Sequence, residues 1–229
     1  MTTVVVGVEE IDAGLARVRG DAYRHLFRAR RLARGDRLRV TDGCGRARWA
    51  EVEQVVGHQA TLVLAAAAPA NEPAVRLELL VAPPRPERAA WLVEKATELG
   101  AAAVRFLVCE RSARLPGEGA LQRLRRVARA AVEQCDRACL PEISGPHPLE
   151  ELPTLLAGAE RVWCLDPGGA RRLAPAGSGP WRVLVGPEGG WSEGERRDLA
   201  AAGCLQASLG PRVLRIETAA VAAAARLLR

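Results

Sequence analysis

Lysine is almost missing from this chain: of 33 basic residues, all but Lys95 are arginine. Aromatic residues amount to only 3%, with two phenylalanines and one tyrosine. Alanine, arginine, glycine and proline are abundant together, which is the output of a GC-rich genome, so the arginine excess has a bland origin beside any functional one. Long apolar runs are also lacking. The stretches 61–70 and 219–225 are dominated by alanine and fall short of the roughly 20 apolar residues that a membrane helix needs. The N-terminus shows no charged start followed by an apolar core, so a soluble cytoplasmic protein is expected, with no membrane partner. The six cysteines, Cys44, Cys109, Cys135, Cys139, Cys164 and Cys204, form no Cys-x-x-Cys pair and have no histidine nearby. That excludes a zinc site and a regular disulfide ladder; no metal is expected, and reduced thiols, buried where they lie in apolar runs, are the expectation. Neither a P-loop nor a Gly-x-Gly-x-x-Gly fingerprint occurs after a strand, so a nucleotide triphosphate or a dinucleotide is unsupported.

What is present is a chain of 229 residues, 48% hydrophobic, with net charge +6 and a pI near 9.5. It is long enough for two modest domains with real cores. The charge points to an anionic partner, and the arginine fork suits phosphates and base edges.

The pattern changes near residues 66–74. Before it come short alternating strands: Leu38 to Thr41, a turn Asp42-Gly43-Cys44-Gly45, then Arg46 to Val52, with glycine supplying positive φ in the turn. Ala60 to Leu64 alternates again after Gly57-His58. This predicts a small β-barrel. After a proline-containing linker, strands (75–82, 103–108, 161–165, 182–185, 205–209) alternate with helices (86–99, 120–137, 149–157, 192–202, 217–228), the signature of a mostly parallel sheet covered on both faces.

Two loops stand out. Gly186-Pro187-Glu188-Gly189-Gly190 ends the apolar strand Val183-Leu184-Val185 and precedes a helix opened by the capping box Ser192/Glu195. Leu209-Gly210-Pro211-Arg212-Val213-Leu214-Arg215-Ile216-Glu217-Thr218-Ala219 leads from another strand into an alanine-rich helix. Glycines at the carboxyl end of a parallel strand mark a ligand site, and Glu188 disfavours a polyphosphate there. A neutral or cationic ligand held by backbone groups fits better.

These two loops resemble the signature loops of the SPOUT-class RNA methyltransferases, in the family that methylates N3 of a uridine in small-subunit (16S) ribosomal RNA. Glu94-Lys95-Ala96-Thr97-Glu98-Leu99-Gly100 and Glu133-Gln134-Cys135-Asp136-Arg137 leading to Pro141 agree with it in order and spacing. His25-Leu26, Gly35-Asp36 and Asp42-Gly43-Cys44-Gly45 resemble that family's small RNA-binding barrel, so the likeness spans nearly the whole chain. Departures are Ala29-Arg30-Arg31, where an aliphatic pair is usual before the basic residue, and Arg85 and Arg88 in place of lysines.

The resemblance implies an α/β SPOUT fold with a C-terminal deep trefoil knot and a mostly parallel sheet over residues 74–229, plus a PUA-like β-barrel that binds RNA over residues 1–70. It implies S-adenosyl-L-methionine as cofactor, held by Leu165, Gly186, Pro187, Glu188, Gly189, Gly190, Leu209, Gly210, Val213 and Leu214, with the glycines allowing backbones to cross in the knot. It also implies a homodimer and 16S ribosomal RNA or the small ribosomal subunit as partner. Methyl transfer to uracil N3 requires stabilising the N3 anion, for which Arg215 and Arg137 are the candidates. Glu217 could accept the proton, although a carboxylate in a first helical turn also serves the helix dipole. Arg24, His25, Arg28 and Arg31 are candidate RNA contacts, as are Glu133 and Gln134, which could equally brace the fold. Lys95 could simply pair with Glu94 and Glu98. Two other functions are compatible with the same residues: a SPOUT methyltransferase acting on another RNA position, and a catalytically silent RNA-binding ribosome-assembly protein.

Overall fold

The structure is a computed structural model, and it describes residues 2–112, 115–169, 171–175 and 179–228. The outermost residues of the two expected domains, Met1 and Arg229, lie outside the described residues. The backbone forms two compact units, Met1–Glu72 with Arg129–Leu140 and Pro73–Ala128 with Pro141–Arg229.

The first unit is a curled six-stranded sheet built from β1 (Thr3–Val5), β2 (Ile11–Asp12), β3 (Leu15–Val18), β4 (Arg37–Thr41), β5 (Ala47–Val56) and β6 (Gln59–Ala67), in the order β1-β4-β5-β6-β3-β2. Only β1 and β4 are parallel; the other pairs are antiparallel. Alternation sends Leu38, Val40, Val52, Leu62 and Leu64 into one core. The β4–β5 hairpin closes as its residues predict. Asp42 Oδ1 accepts from the backbone N–H of Cys44 (2.7 Å) and of Arg46 (3.1 Å), and Gly43 takes φ +74°.

Between β3 and β4 a short helix, α1 (Gly20–Tyr23), runs on as a π-helix over Arg24–Ala29. Its wider turn buries Tyr23, Leu26 and Phe27 while Arg24, His25 and Arg28 stay exposed. The Tyr23 and Phe27 rings stack at 5.2 Å, and the Tyr23 hydroxyl donates to Gly57 O.

Residues 129–140 are clipped into this unit by polar contacts. Glu133 Oε1 accepts from Val5 N at 3.0 Å. Glu72 accepts from Ala138 N (2.8 Å) and Cys139 N (2.9 Å) and pairs with the Arg137 guanidinium at 2.7 Å. Arg39, also buried, donates to Arg137 O and Pro69 O. Burial pulls the Arg39 guanidinium below its usual pKa, with Asp136 and Glu72 opposing the shift.

The second unit is a seven-stranded, wholly parallel sheet. Its elements are β7 (Leu77–Val81), α2 (Pro86–Leu99), β8 (Ala103–Val108), α3 (Glu118–Cys135, whose last residues count with the first unit), β9 (Glu142–Pro148), α4 (Leu152–Leu156), β10 (Arg161–Leu165), β11 (Arg171–Arg172), β12 (Trp181–Val185), α5 (Glu193–Ala201), β13 (Leu205–Ser208) and α6 (Ile216–Leu227). The strand order is β11-β13-β10-β12-β7-β8-β9. The central strands read as apolar runs because both faces are covered; Leu77, Leu79, Leu80, Val81, Val183 and Leu184 are all buried.

β9 contains Gly145 and Pro146, and so carried no strand signal. It lies at a sheet edge, where proline is tolerated. His147 belongs to β9 and bonds Ser144 Oγ (3.0 Å) and Glu151 (2.9 Å). A charged cluster also crosses the sheet. Glu78 on β7, 2% exposed, meets Arg105 (3.1 Å) on β8 and its register partner Arg182 (3.2 Å) on β12. Arg105 in turn makes a two-pronged pair with Glu142.

All six cysteines are free thiols, as expected. Burial pushes Cys109 and Cys164 up to about 12 and Cys204 to about 11.

Because Glu72 satisfies two backbone N–H groups as well as facing Arg137, Glu72→Ala is expected to destabilise the chain by about 3 kcal/mol. Urea titration followed by circular dichroism would measure it; a loss under about 1 kcal/mol, the size of an ordinary exposed pair, would contradict the clip.

Candidate functional site

The parallel register brings three strand ends level. Leu165 pairs with Val185 on one side and with Ala207 on the other, and Val185 pairs with Val81. The loops leaving β12, β10 and β13 therefore emerge side by side at the carboxyl edge of the sheet, where α/β folds place ligands. They enclose a pocket within the second unit. Leu165, Val185, Leu209, Leu214, Ile216 and Ala219 give it apolar walls, and Gly186, Pro187, Glu188, Gly190, Gly210 and Val213 bring backbone groups to it. Nine of the ten residues expected to bind the cofactor thus line one cavity.

Gly189 is the tenth. It is not among the lining residues; its carbonyl accepts from Arg111 Nη1 at 2.6 Å, a tie from the loop that follows β8.

The glycines each have a local reason. A Cβ on Gly186 would sit 2.7 Å from Trp191 Cε2, so the close approach here is to a buried indole. Gly190 takes φ +71° to close the turn in which its N–H donates to Pro187 O at 2.8 Å. Gly210 takes φ +125° with open space around it, so backbone conformation alone requires glycine there.

The capping box forms as its spacing predicts: Glu195 N donates to Ser192 Oγ (3.2 Å) and Ser192 N to Glu195 Oε2 (2.7 Å). Its second function was not legible. The other Glu195 oxygen accepts from Glu110 N at 2.8 Å, tying the loop after β8 to α5. Glu195 is only 6% exposed, so it serves as an internal staple of the site.

Sequence reasoning missed the ion pair that also lines the pocket, Asp166 with Arg196. Asp166 follows β10 directly, and its backbone N–H donates to Ala207 O (3.0 Å). Its Oδ1 accepts from Gly168 N (2.9 Å). A charged residue immediately after an apolar strand, at the carboxyl edge, was the available signal.

Arg215 is exposed at the N-cap of α6, one residue beyond Leu214, and is not among the pocket's lining residues. Arg137 is 3% exposed in the first unit, engaged with Glu72. Arg24, His25, Arg28 and Arg31 are all exposed in the first unit, Arg24 in an ion pair with Asp21. Glu133 braces β1, and Gln134 is exposed. Glu217 is 4% exposed and faces Arg88 at 3.6 Å, outside the pocket lining, which matches its structural reading as a first-turn carboxylate. Lys95 bonds Glu94 (2.8 Å) and Glu98 (2.7 Å), and those two bonds raise its pKa. Among the described residues no group of three or more metal-ligating side chains converges.

A family model described as "RNA methyltransferase domain" matches residues 71–228, and one described as "RNA methyltransferase PUA domain" matches residues 18–64. The chain is 30% identical to the ribosomal RNA small subunit methyltransferase E of Synechocystis sp., over 98% of this chain and 76% of that protein. It is 34% identical to the enzyme of the same name from Mycobacterium bovis, over 91% of this chain and 84% of that one. The crystal structure of a ribosomal RNA small subunit methyltransferase E from Neisseria gonorrhoeae bound to S-adenosyl methionine superposes with a TM-score of 0.88, covering 98% of this chain and 95% of that one at 26% identity. Matched along its length by both family models and by these relatives, the chain belongs to the RNA methyltransferases that carry a PUA domain.

Proposed function

We propose that this protein transfers a methyl group from S-adenosyl-L-methionine to N3 of a uridine in 16S ribosomal RNA of the small ribosomal subunit, as a cytoplasmic homodimer. The observation that carries the reading is the pocket at the level ends of β10, β12 and β13. Its relatives' names support the small-subunit RNA, and the Neisseria gonorrhoeae structure supports the cofactor.

The pocket fits such a ligand. A flat adenine needs apolar faces and backbone hydrogen-bond partners at its edge. Leu165, Leu209, Leu214 and Ile216 offer the first, and the two loops offer the second. When bound, the cofactor supplies an electrophilic methyl on a sulfonium. We further infer that the two loops belong to a C-terminal trefoil knot, as in the SPOUT class.

The chain's own task is to bring the uracil in line and to stabilise its N3 anion as the proton leaves. We assign the electrostatic part to Arg215, which follows the pocket residue Leu214 and is exposed for contact with O2 or O4. Arg137 contributes from its pair with Glu72 by fixing the Glu133–Arg137 segment, and Gln134 on that segment is free to meet RNA. Arg24, His25, Arg28 and Arg31, exposed on and just after the π-helix, supply RNA affinity that weakens with salt.

Three measurements test this. Mass mapping of 16S ribosomal RNA from cells lacking the gene should show one uridine without its methyl group; an unchanged methylation map would overturn the proposed substrate. Arg215→Ala should lower methyl transfer by about 100-fold, the scale for one electrostatic donor, with cofactor affinity within about threefold. A matching loss of affinity would make Arg215 a binding residue instead. Gly186→Ala should weaken cofactor binding by roughly tenfold or more, because its methyl group forces Trp191 to shift; calorimetry showing wild-type affinity would contradict this packing.

A further inference from the structure

We infer that Asp166 recognises the ribose hydroxyls of the adenosine-bearing ligand, and that Arg196 is the positioning residue that holds its carboxylate in place. This rests on reading the pocket as an adenosine site.

Topology puts Asp166 in a central position. β10 lies between β12 and β13, and Leu165 is in register with both Val185 and Ala207. The next residue, Asp166, therefore stands between the loop beginning at Gly186 and the loop beginning at Leu209. It lines the cavity along with both.

Its side chain is built in. It is 11% exposed, and each carboxylate oxygen already has one partner: Oδ1 accepts from Gly168 N at 2.9 Å, and Oδ2 is paired with Arg196. Each carboxylate oxygen has two lone pairs, so one acceptor position remains on each. Two adjacent acceptors match the two donors of a vicinal diol.

The charge balance selects among the ligand's donors. Arg196 neutralises the Asp166 charge, so a cationic ammonium gains little Coulombic attraction there and also meets the guanidinium. A neutral hydroxyl still gains a charge-assisted hydrogen bond in a largely apolar cavity. Arg196 itself is 40% exposed on its side chain, with its guanidinium available to be replaced by another cation without opening the core.

The assignment predicts selectivity against deoxyribose. A site that hydrogen-bonds a hydroxyl leaves its own acceptor unpaired when that hydroxyl is missing. Calorimetry on the full-length protein with S-adenosylhomocysteine and its 2′-deoxy and 3′-deoxy analogues should show wild type favouring the diol by about 10–100-fold. In Asp166→Ala the preference should fall to within about threefold, with the largest loss of affinity for the diol and a smaller loss for each mono-deoxy analogue, which keeps one of the two hydroxyls. Asp166→Asn, which keeps the shape of the side chain, should keep only part of the preference and guards against a folding defect in the alanine variant. Arg196→Ala should reduce the preference and Arg196→Lys should restore it.

Undiminished selectivity in both Asp166 variants would overturn the assignment. So would an equal loss of affinity for all three ligands, which is the mark of a purely structural pair. If wild type binds none of the three, the adenosine reading itself fails and takes this inference with it; if wild type binds all three alike, only this inference fails.

Discussion

The site depends on the register of four parallel strands. Val81, Val185, Leu165 and Ala207 form a continuous row across the sheet, so β7, β12, β10 and β13 end at one level. Period-two alternation makes register an all-or-none property: a slip of one residue on β10 would send Leu165 to the other face and carry Asp166 out of line with both loops. Burial on both faces, with Leu79, Leu80, Val183 and Leu184 fully enclosed, is what prevents such a slip.

Around that row the loops are held by side chains of neighbouring segments. Arg111 grips the carbonyl of Gly189, Glu195 caps α5 while accepting from Glu110, and Trp191 fills the space that the missing Cβ of Gly186 leaves open. The Arg111 and Glu195 ties each join a side chain to a neighbouring backbone group and so fix the path of the loops. A pocket assembled mostly from backbone and apolar walls offers shape and hydrogen-bond edges with few charges, which suits a flat heterocycle. The charged residues that line it are Glu188, Arg212 and the Asp166–Arg196 pair.

The arginines divide by what surrounds them. Arg39, Arg105, Arg137 and Arg182 are wholly or largely buried and engaged with carbonyls or with Glu72, Glu78 and Glu142. Others, such as Arg24, Arg28, Arg31 and Arg215, face solvent. The basic composition is therefore only partly a solvent-facing surface. The guanidinium's several donors let it serve as an internal cross-link where a lysine could satisfy fewer carbonyls.

The sequence by itself determined the alternation of β7, β8, β10, β12 and β13 with helices, the hairpin at Asp42–Gly45 and the capping box at Ser192, because each of these is written in residues close together in the chain. Local patterns failed where a neighbour distant in sequence set the outcome. β9 is a strand despite Gly145 and Pro146 because it sits at an edge. Glu133 read either as an RNA contact or as a brace and Arg137 as a catalytic candidate, and no local pattern could say that their side chains engage Val5 and Glu72, more than sixty residues away. Gly186 read as a residue for close backbone approach, and the tertiary structure adds that its open side packs against Trp191. Asp166 carried no motif at all; only the register of three strands put it between both loops. Periodicity and turn chemistry act over a few residues, whereas burial, ion pairing and strand order are fixed only when the chain has closed on itself.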